Sequence, residues 1–349
     1  MLAIIKQFFV KSHEVTLSVS RKEKLLQWLA GYFAEPVTVT LISGDASFRQ
    51  YYRLSHQQRS FIVMDTPVAL IATEPFALVA AAYQAQGIKV PAILAIEPAL
   101  GFMLLEDLGD ISLLSCLTDA NVESWYQEAL ALLPDIANVK RTAAGDLPQF
   151  DAAFVHRELS IFSEWLLSTH LQFTLSEAQQ TVLAQAFDCL TVNALAQPQV
   201  GMHRDFHSRN LMVVQDELYV IDFQDAVIGP ITYDAVSLLR DCYVRWPDAV
   251  VDTLRQQHFE TCQQQGLLAD TISVEQYIQW FDLMGIQRHL KAAGIFARLN
   301  HRDNKPGYLK DIPLTLTYVI DIANRYPELQ ALAMLVKDVH ELVLQQESS

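Results

Sequence analysis

The stretch Gly201–Phe223, which reads GMHRDFHSRNLMVVQDELYVIDF, decides how the rest of the chain is interpreted. Within it, Asp205 lies two residues after His203 and five residues before Asn210. Two short apolar runs follow, separated by Gln-Asp-Glu, and this pattern predicts a β-hairpin. Such a hairpin would bring Asp222 close to Asn210, although twelve residues separate them in the chain.

An H-x-D-x-x-x-x-N pattern followed by a hairpin and Asp-Phe has the spacing of a kinase catalytic loop and its metal-binding aspartate. Phosphoryl transfer to a hydroxyl needs a carboxylate that orients the hydroxyl and takes its proton, and Asp205 fits that role. Asn210 and Asp222 would supply the oxygen ligands that Mg²⁺ prefers. We group His203 and Arg204 with the catalytic residues, and we expect His203 to hold the backbone around Asp205 rather than to act as a base. The alternative is a polar surface loop before an ordinary buried hairpin, which explains the full pattern less well.

Composition narrows the possible partners and location. The 349 residues are half hydrophobic, which suffices for two lobes with their own cores. A formal net charge of −15 argues against nucleic acid or an anionic membrane as the main partner. The four cysteines are scattered without a C-x-x-C pair, so we expect reduced thiols in a cytoplasmic protein. Because Lys6 interrupts the apolar run Met1–Val10 and no long apolar window occurs, we expect neither a signal peptide nor a membrane span.

The first third of the chain alternates short apolar runs with turns, which predicts an antiparallel sheet. We expect a short helix at Lys22–Tyr32, strands at Val37–Ile42, Phe48–Leu54, Phe61–Met64, Val90–Ile96 and Gly101–Leu105, and a helix at Glu74–Gln86. The first turn, with Ser43, Gly44, Asp45 and Ser47, is predicted to lie over phosphate groups. No lysine occurs on the third strand, where a kinase normally has one, and Arg49 is our candidate for the replacement charge.

The remaining chain is mostly helical by its apolar periodicity. The predicted helices are Val122–Ile136, Asp151–His170, Glu177–Ala196, Val236–Tyr243, Asp248–Gln265, Val274–Leu299, Leu314–Asn324 and Pro327–Gln346. We expect a polar, turn-rich insert at Arg298–Tyr308 that carries a cationic group, either solvated or in contact with substrate. That group consists of Arg298, His301, Arg302 and Lys305. The predicted fold class is α+β with two lobes: a five-stranded N-terminal lobe over residues 1–105, a hinge at 106–110 and a helical lobe over 111–349.

The catalytic segment resembles the aminoglycoside phosphotransferase and choline kinase group of small-molecule kinases. Gly229 follows Asp222 by only seven residues, which leaves too little chain for a phosphorylatable activation loop and indicates a metabolite kinase. Several segments together resemble the anomeric kinases for N-acetylmuramate and N-acetylglucosamine within this superfamily, over about residues 20 to 345. These segments are Gly44–Arg49, Val63–Asp65, Leu105–Asp110, Ile221–Ala226 and the region from Gln287–Lys291 through Tyr308.

This resemblance implies a protein-kinase-like fold and ATP- and Mg²⁺-dependent phosphorylation of the C1 hydroxyl of an amino sugar, in cell-wall recycling. It places the adenine against the backbone near Glu106 and Leu108, and it makes Asp234 a support for the catalytic loop. His207 and Asp225 join the cationic group as candidate substrate residues. Since an anomeric hydroxyl is more acidic than an ordinary alcohol, one carboxylate base would suffice.

Two other functions remain open at this point. A kinase for aminoglycosides, choline or another amino alcohol would need carboxylates around a cationic acceptor, whereas the cationic group Arg298–Lys305 favours an anion. A nucleotide-binding pseudokinase or scaffold would not need the complete set of Asp205, Asn210 and Asp222.

Overall fold

The computed structural model describes residues 21–44 and 49–347. The run Met1–Val10 and the predicted phosphate-binding residues Asp45 and Ser47 therefore lie outside the described residues. The backbone divides into two units. The first contains the described residues up to Pro75 together with Pro91–Asp107, and the second contains the rest of the chain.

The first unit is built on the five-stranded antiparallel sheet that the sequence predicts. Its strands are β1 (Val39–Gly44), β2 (Gln50–His56), β3 (Arg59–Asp65), β4 (Ile93–Glu97) and β5 (Phe102–Glu106). They follow the order β1-β2-β3-β5-β4, and every neighbouring pair is antiparallel. Helix α1, which includes residues 21–29, precedes the sheet. The two residues between β2 and β3, Gln57 and Gln58, both have positive φ, as a tight hairpin with right-handed twist requires.

The core of the first unit lies between α1 and one face of the sheet. Leu25 and Leu29 of α1 are fully buried and pack against apolar residues of the sheet: Leu54, Phe61, Val63, Phe102 and Leu104. At the start of α1, Arg21 donates to Asp65 of β3 at 2.6 Å and to the carbonyls of Thr66 and Leu100. Arg21 thus compensates the one carboxylate that the third strand buries.

The second unit is mainly helical. Its helices are α2 (Glu74–Ala85, from Phe76 onward), α3 (Leu113–Cys116), α4 (Val122–Leu130), α5 (Leu133–Asn138), α6 (Ala152–Ile161), α7 (Glu177–Ala196), α8 (Tyr233–Leu239), α9 (Asp248–Gln264), α10 (Val274–Asp303), α11 (Ile312–Ala323) and α12 (Gln330–Glu347). Three two-stranded ladders complete it: β6 (Arg141–Thr142) with β7 (Gly145–Asp146), β8 (Gln199–Met202) with β11 (Val227–Pro230), and β9 (Leu211–Val214) with β10 (Glu217–Val220). None of the described helices combines the length and the apolar character needed to cross a membrane.

Two helices begin with N-cap side chains of the type that favours helix initiation. Asp151 accepts the Phe154 N–H at 2.8 Å as the N-cap of α6, and Ser176 forms a capping box with Gln179 at α7. The predicted helix Val122–Ile136 is instead divided into α4 and α5, with Pro134 in the first turn of α5.

The structure corrects the prediction of a turn-rich insert at Arg298–Tyr308. Helix α10 continues through Asp303, so Arg298, His301 and Arg302 are helical residues rather than loop residues. The helix ends at Asn304, which has φ 56 and ψ 43, and a 3₁₀ helix follows at Pro306–Asp311. A polar composition at this position reflects the solvated last turns of a long helix.

Helix α10 passes close to α6 at a glycine. A Cβ added at Gly294 would lie 2.4 Å from the carbonyl oxygen of Ile161 and 2.7 Å from the backbone nitrogen of Phe162. At this point the helical turn widens, and residues Phe162–His170 form a π-helix that continues α6. One turn before this contact, α6 carries Glu158 and α10 carries Lys291. The close approach of the two helices therefore fixes the relative position of these two side chains.

Candidate active site

The predicted hairpin after the catalytic loop is confirmed. Strands β9 and β10 pair in register, and the turn residues Gln215 and Asp216 have φ values of 52 and 60. The N–H of Ile221 donates to the Asn210 carbonyl at 3.0 Å. This hydrogen bond at the open end of the hairpin brings Asn210 next to Asp222.

His203 supports the loop through both ring nitrogens. Its Nδ1 atom accepts the backbone N–H of Asp205 at 3.2 Å, so the proton resides on Nε2, which donates to the Ile221 carbonyl at 3.0 Å. Burial lowers the pKa of His203 to about 4. The ring is therefore neutral near pH 7, and both nitrogens are engaged in holding the backbone.

Asp234, in the first turn of α8, holds the loop from the other side. Its carboxylate accepts the backbone N–H of His203 at 2.7 Å and that of Arg204 at 3.0 Å. Burial raises the pKa of Asp234 to about 7, against the opposing effect of these two hydrogen bonds. Arg204 has φ 79, a strained conformation that the two hydrogen bonds help to maintain.

Asn210 and Asp222 are adjacent, as the hairpin predicts. The Asn210 amide donates to the carbonyl of Asp205 at 3.0 Å and lies 3.4 Å from Oδ2 of Asp222. Gln224 donates to the other oxygen of Asp222 at 2.7 Å. Because the Asn210 amide nitrogen is directed at the backbone, its amide oxygen is the atom available to a cation.

This pair of oxygen ligands fits Mg²⁺. Across residues 21–44 and 49–347, no group of three or more His, Cys, Asp and Glu residues is arranged to hold a metal ion. Mg²⁺ is commonly held by one or two protein oxygens together with water and substrate phosphates, so two ligands are sufficient for it. A structural zinc site would require more protein ligands.

Asp222 and its neighbour are supported by helix α2. Phe223 is fully buried, and its ring centroid lies 4.8 Å from that of Phe76 and 5.7 Å from that of Tyr83. Tyr83 also lies 6.4 Å from the His203 ring. Asp222 itself has φ 63, so its position depends on this packing.

A buried ion network surrounds the loop, and sequence reasoning missed its central residue. Glu158 of α6 is 3% exposed, and it accepts from Arg204 at 2.9 Å and from Lys291 at 2.8 Å. Tyr233 and Gln287 complete its hydrogen bonds, at 3.2 and 3.1 Å. Glu158 lies in an ordinary amphipathic stretch without a motif. The sequence signals for this network were Arg204 in the catalytic loop and the Gln287–Lys291 segment, which carried a family resemblance without an assigned role.

The network determines the charge of Asp205. Burial raises the pKa of Asp205, but the positive charges of Lys291, Arg204 and Arg288 outweigh it and hold this pKa far below its ordinary range. Asp205 is therefore ionised at any physiological pH. An ionised carboxylate beside a pair of Mg²⁺-type ligands can orient a hydroxyl and receive its proton as the hydroxyl oxygen bonds to phosphorus.

Comparison with known proteins identifies the family to which the chain belongs. The model of the phosphotransferase enzyme family (APH) matches residues 38–267. The chain belongs to this family. A Pseudomonas aeruginosa protein named N-acetylmuramate/N-acetylglucosamine kinase is 40% identical over 86% of this chain and 88% of its own. A Neisseria meningitidis protein of the same name is 36% identical over 91% and 96%.

Solved structures show the protein-kinase-like fold that the sequence predicts. A choline/ethanolamine kinase family protein from Mesorhizobium loti superposes with a TM-score of 0.59, at 13% identity, over 91% of this chain and 99% of its own. A Plasmodium vivax ethanolamine kinase gives a TM-score of 0.59 at 11% identity, over 81% and 82%.

In this phosphotransferase family member, the predicted substrate residues occupy different environments. His207 contacts Tyr243 edge to face at 5.3 Å, and burial lowers its pKa. The side chain of Asp225 is exposed, and its backbone carbonyl accepts from Arg204 at 3.2 Å.

The predicted cationic group lies on and just after the last turns of α10. His301 faces His170 with 3.0 Å between ring nitrogens, and Arg302 is held by Asp303 at 2.9 Å. Burial and the neighbouring charge of Arg302 lower the pKa of Arg298. Lys305, the last member of the group, follows the helix cap and precedes the 3₁₀ helix.

The predicted nucleotide residues of the first unit are only partly described. Ser43 and Gly44 end β1, and Arg49 is buried just before β2. Glu106 ends β5, and its N–H already donates to the Ala92 carbonyl at 2.9 Å, so that N–H is not available to adenine. Leu108 is buried at the start of the following segment.

Proposed function

We propose that this phosphotransferase transfers the γ-phosphoryl group of ATP to the C1 hydroxyl of N-acetylmuramate and N-acetylglucosamine. The observation that carries the proposal is an ionised Asp205 beside the Asn210–Asp222 pair, in a chain 40% identical to a kinase of that name. The proposed role is the recycling of cell-wall amino sugars in the cytoplasm.

The residues of the loop suggest how the transfer proceeds. Asp205 accepts a hydrogen bond from the C1 hydroxyl and orients its oxygen toward the γ-phosphorus. The C1 oxygen forms a bond to phosphorus as the bond to the departing ADP oxygen breaks, and the hydroxyl proton passes to Asp205. Mg²⁺ held by Asn210 and Asp222 would neutralise charge on the phosphates. Asp205 is a weak base, so it receives the proton late in the transfer. By then the new bond between the C1 oxygen and phosphorus has made the hydroxyl proton strongly acidic.

The nucleotide contacts stay predictions. Ser43, Gly44, Asp45 and Ser47 are proposed to bind phosphate oxygens, with Arg49 in place of the third-strand lysine. The backbone between Glu106 and Leu108 is proposed to bind adenine. The Glu106 N–H is used within the sheet, which leaves the following residues as better candidates for an N–H donor.

A phosphate-transfer screen with Mg·ATP tests the function. The acceptors are N-acetylmuramate, N-acetylglucosamine, kanamycin and choline, and phosphorus–proton correlation in NMR spectra locates the product phosphate. We expect both amino sugars to be phosphorylated at C1 and the two cationic acceptors to be left unchanged. Transfer to kanamycin or choline without transfer to either sugar would overturn the proposal. Binding of Mg·ATP without any transfer would favour a pseudokinase.

A further inference from the structure

Arg209 projects from the catalytic loop onto an aromatic wall. It belongs to the 3₁₀ turn Ser208–Asn210, directly before the predicted metal ligand. Its guanidinium carbon lies 3.5 Å from the centroid of the Tyr243 ring and 5.9 Å from that of Tyr308. Phe296 packs between the two tyrosines: its ring is stacked on Tyr308 at 5.9 Å and tilted against Tyr243 at 5.8 Å. Phe296 is buried, whereas Tyr243 and Tyr308 remain partly exposed, so the two tyrosines are the rings that a ligand can contact next to the loop.

Arg209 is held by this aromatic wall rather than by a carboxylate. Among the described residues, Arg209 forms no ion pair, whereas Arg204 and Arg240 bind carboxylates at 2.9 and 2.6 Å. Stacking uses the face of a guanidinium and leaves its N–H groups, which lie in the plane, for another partner. The side chain is thus preorganised to bind a ligand carboxylate through two parallel hydrogen bonds.

Asp311, whose carboxyl group is affected by the charge of Arg209, has an oxygen that can still accept a hydrogen bond. Asp311, which precedes α11, is half buried, and its Oδ2 atom accepts no hydrogen bond from the described residues. Burial raises its pKa, and the charge of Arg209 opposes that effect. A buried carboxylate oxygen without a donor is costly, and a sugar hydroxyl would satisfy it.

Arg288 connects this region with the reacting group. It is 4% exposed on α10, its Nε donates to Ser237, and its charge acts on both Asp205 and His207. Arg209 also acts on His207. Both arginines therefore place positive charge near His207, where Asp241 and Asp205 are the opposing charges, and this positive charge suits an acceptor that carries a carboxylate.

We propose that Arg209 binds the lactyl carboxylate of N-acetylmuramate, while Asp311 accepts a hydroxyl of either sugar and the tyrosine rings contact the pyranose. This inference rests on the proposed function and assigns the residue that separates its two substrates. It revises the hypothesis that the cationic group at Arg298–Lys305 binds the carboxylate. Arg302 already binds Asp303 through both Nε and Nη2, so it has fewer donors to offer.

The test measures kcat/KM for both sugars in Arg209→Met and Arg209→Lys. Loss of a charge-assisted hydrogen bond to a carboxylate predicts a decrease on the order of tenfold to a hundredfold for N-acetylmuramate in Arg209→Met. We expect less than about a threefold decrease for N-acetylglucosamine, which has no carboxylate, and an intermediate effect in Arg209→Lys. Asp311→Asn is expected to lower kcat/KM for both sugars to a similar extent.

Arg245→Met is the matched control, because Arg245 also lies over a tyrosine ring, 5.1 Å from the centroid of Tyr318, but binds Asp321. Its ratio of the two kcat/KM values should equal that of the wild type. Thermal melting establishes that each variant is folded. If Arg209→Met does not fold, the comparison of the two sugars is made with Arg209→Lys.

Equal losses for the two sugars in both Arg209 variants would overturn the subsite and leave the function intact. A selective loss for N-acetylmuramate in Arg298→Ala/Arg302→Ala, with Arg209→Met unselective, would return the role to the C-terminal end of α10. Wild-type protein that phosphorylates neither sugar would overturn the proposed function and, with it, the subsite.

Discussion

Asp205 owes its charge to residues that come from distant parts of the chain. Lys291 and Arg288 lie on α10, and Arg204 is the neighbour of Asp205 in the loop. Burial alone would raise the pKa of Asp205, and the net effect of the three nearby cations is the opposite. The carboxylate is thus suited to orienting a hydroxyl more than to removing a proton from an unactivated one.

Replacing Asp205 by Asn keeps the side-chain shape and removes the proton acceptor. We expect turnover to fall by at least about a hundredfold, while Mg·ATP affinity changes little. Steady-state kinetics and calorimetric titration measure the two quantities. Asp216→Asn is the control, because Asp216 is exposed in the β9–β10 turn and Asn tolerates its positive φ. Near-wild-type turnover in Asp205→Asn would contradict the assigned role.

The proposed metal ligands Asn210 and Asp222 are tested by removing them one at a time. Asp222→Ala should abolish Mg²⁺-dependent binding of ATP, and Asn210→Ala should weaken it, because each removes one oxygen ligand. Calorimetric titration of ATP with and without Mg²⁺ distinguishes metal-dependent from metal-independent affinity. If both variants retain the wild-type response to Mg²⁺, the ion binds elsewhere.

Residues with a local motif could be predicted, and residues that act through space could not. His203, Asp205 and Asn210 share one loop, and the hairpin that brings Asp222 to them is itself a local signal. Glu158 and Lys291 are 133 residues apart and meet because α6 packs on α10. No spacing in the sequence encodes that pairing.

At the scale of elements, the catalytic loop depends on the first turn of α8. In Asp234→Asn, one carboxylate oxygen becomes an amide donor that faces a backbone N–H of His203 or Arg204. Leaving that buried N–H without an acceptor costs about 1–3 kcal/mol, and we expect unfolding free energy and turnover both to decrease. Urea denaturation measures the first, and the control is Asp248→Asn at the exposed first turn of α9. Equal stability of the two variants would show that Asp234 is an ordinary first-turn acid.

Element types were easier to predict than element ends. The five strands of the first unit agree with the prediction to within a few residues at their ends, whereas β6, β7, β8 and β11 were not predicted. The predicted and observed limits of α7 coincide, and Ser176 provides a capping box there. Helix α10 was ended too early, since a solvated helix end and a polar loop have the same composition. Its actual end depends on Asn304 adopting the left-handed conformation, which composition does not reveal.

At the scale of the whole molecule, buried histidines predict acid sensitivity. Burial lowers the pKa of His203 and His258 to about 4 and that of His289 to about 3. The unfolded chain binds protons on these rings near pH 6.5, whereas the native protein does not, so unfolding free energy decreases as pH falls from about 6.5 to about 4. Asp234 acts in the opposite direction, because its raised pKa of about 7 lets the native state take up a proton there.

Among the histidines and carboxyl groups that titrate in this range with large shifts, three histidines are opposed by one aspartate, and we expect a net decrease of roughly 1–3 kcal/mol per pH unit between about pH 6 and 4.5. Urea denaturation at several pH values gives this slope. His258→Gln should reduce the slope by up to about 1.4 kcal/mol per pH unit, because one titrating ring is removed. A stability that stays constant or increases on acidification would contradict the assigned protonation states.

The contact between α6 and α10 at Gly294 limits how this enzyme can change its acceptor during evolution. Any larger residue there would meet the Ile161 carbonyl at 2.4 Å, and the helices would have to separate one turn away from the Lys291–Glu158 pair. A substitution that tilts α10 would therefore also move Lys291, whose charge helps to keep Asp205 ionised. If Arg209 binds the acceptor as proposed, new specificities are more accessible through Arg209 and the 3₁₀ helix after α10, because neither contacts the Lys291–Glu158 pair.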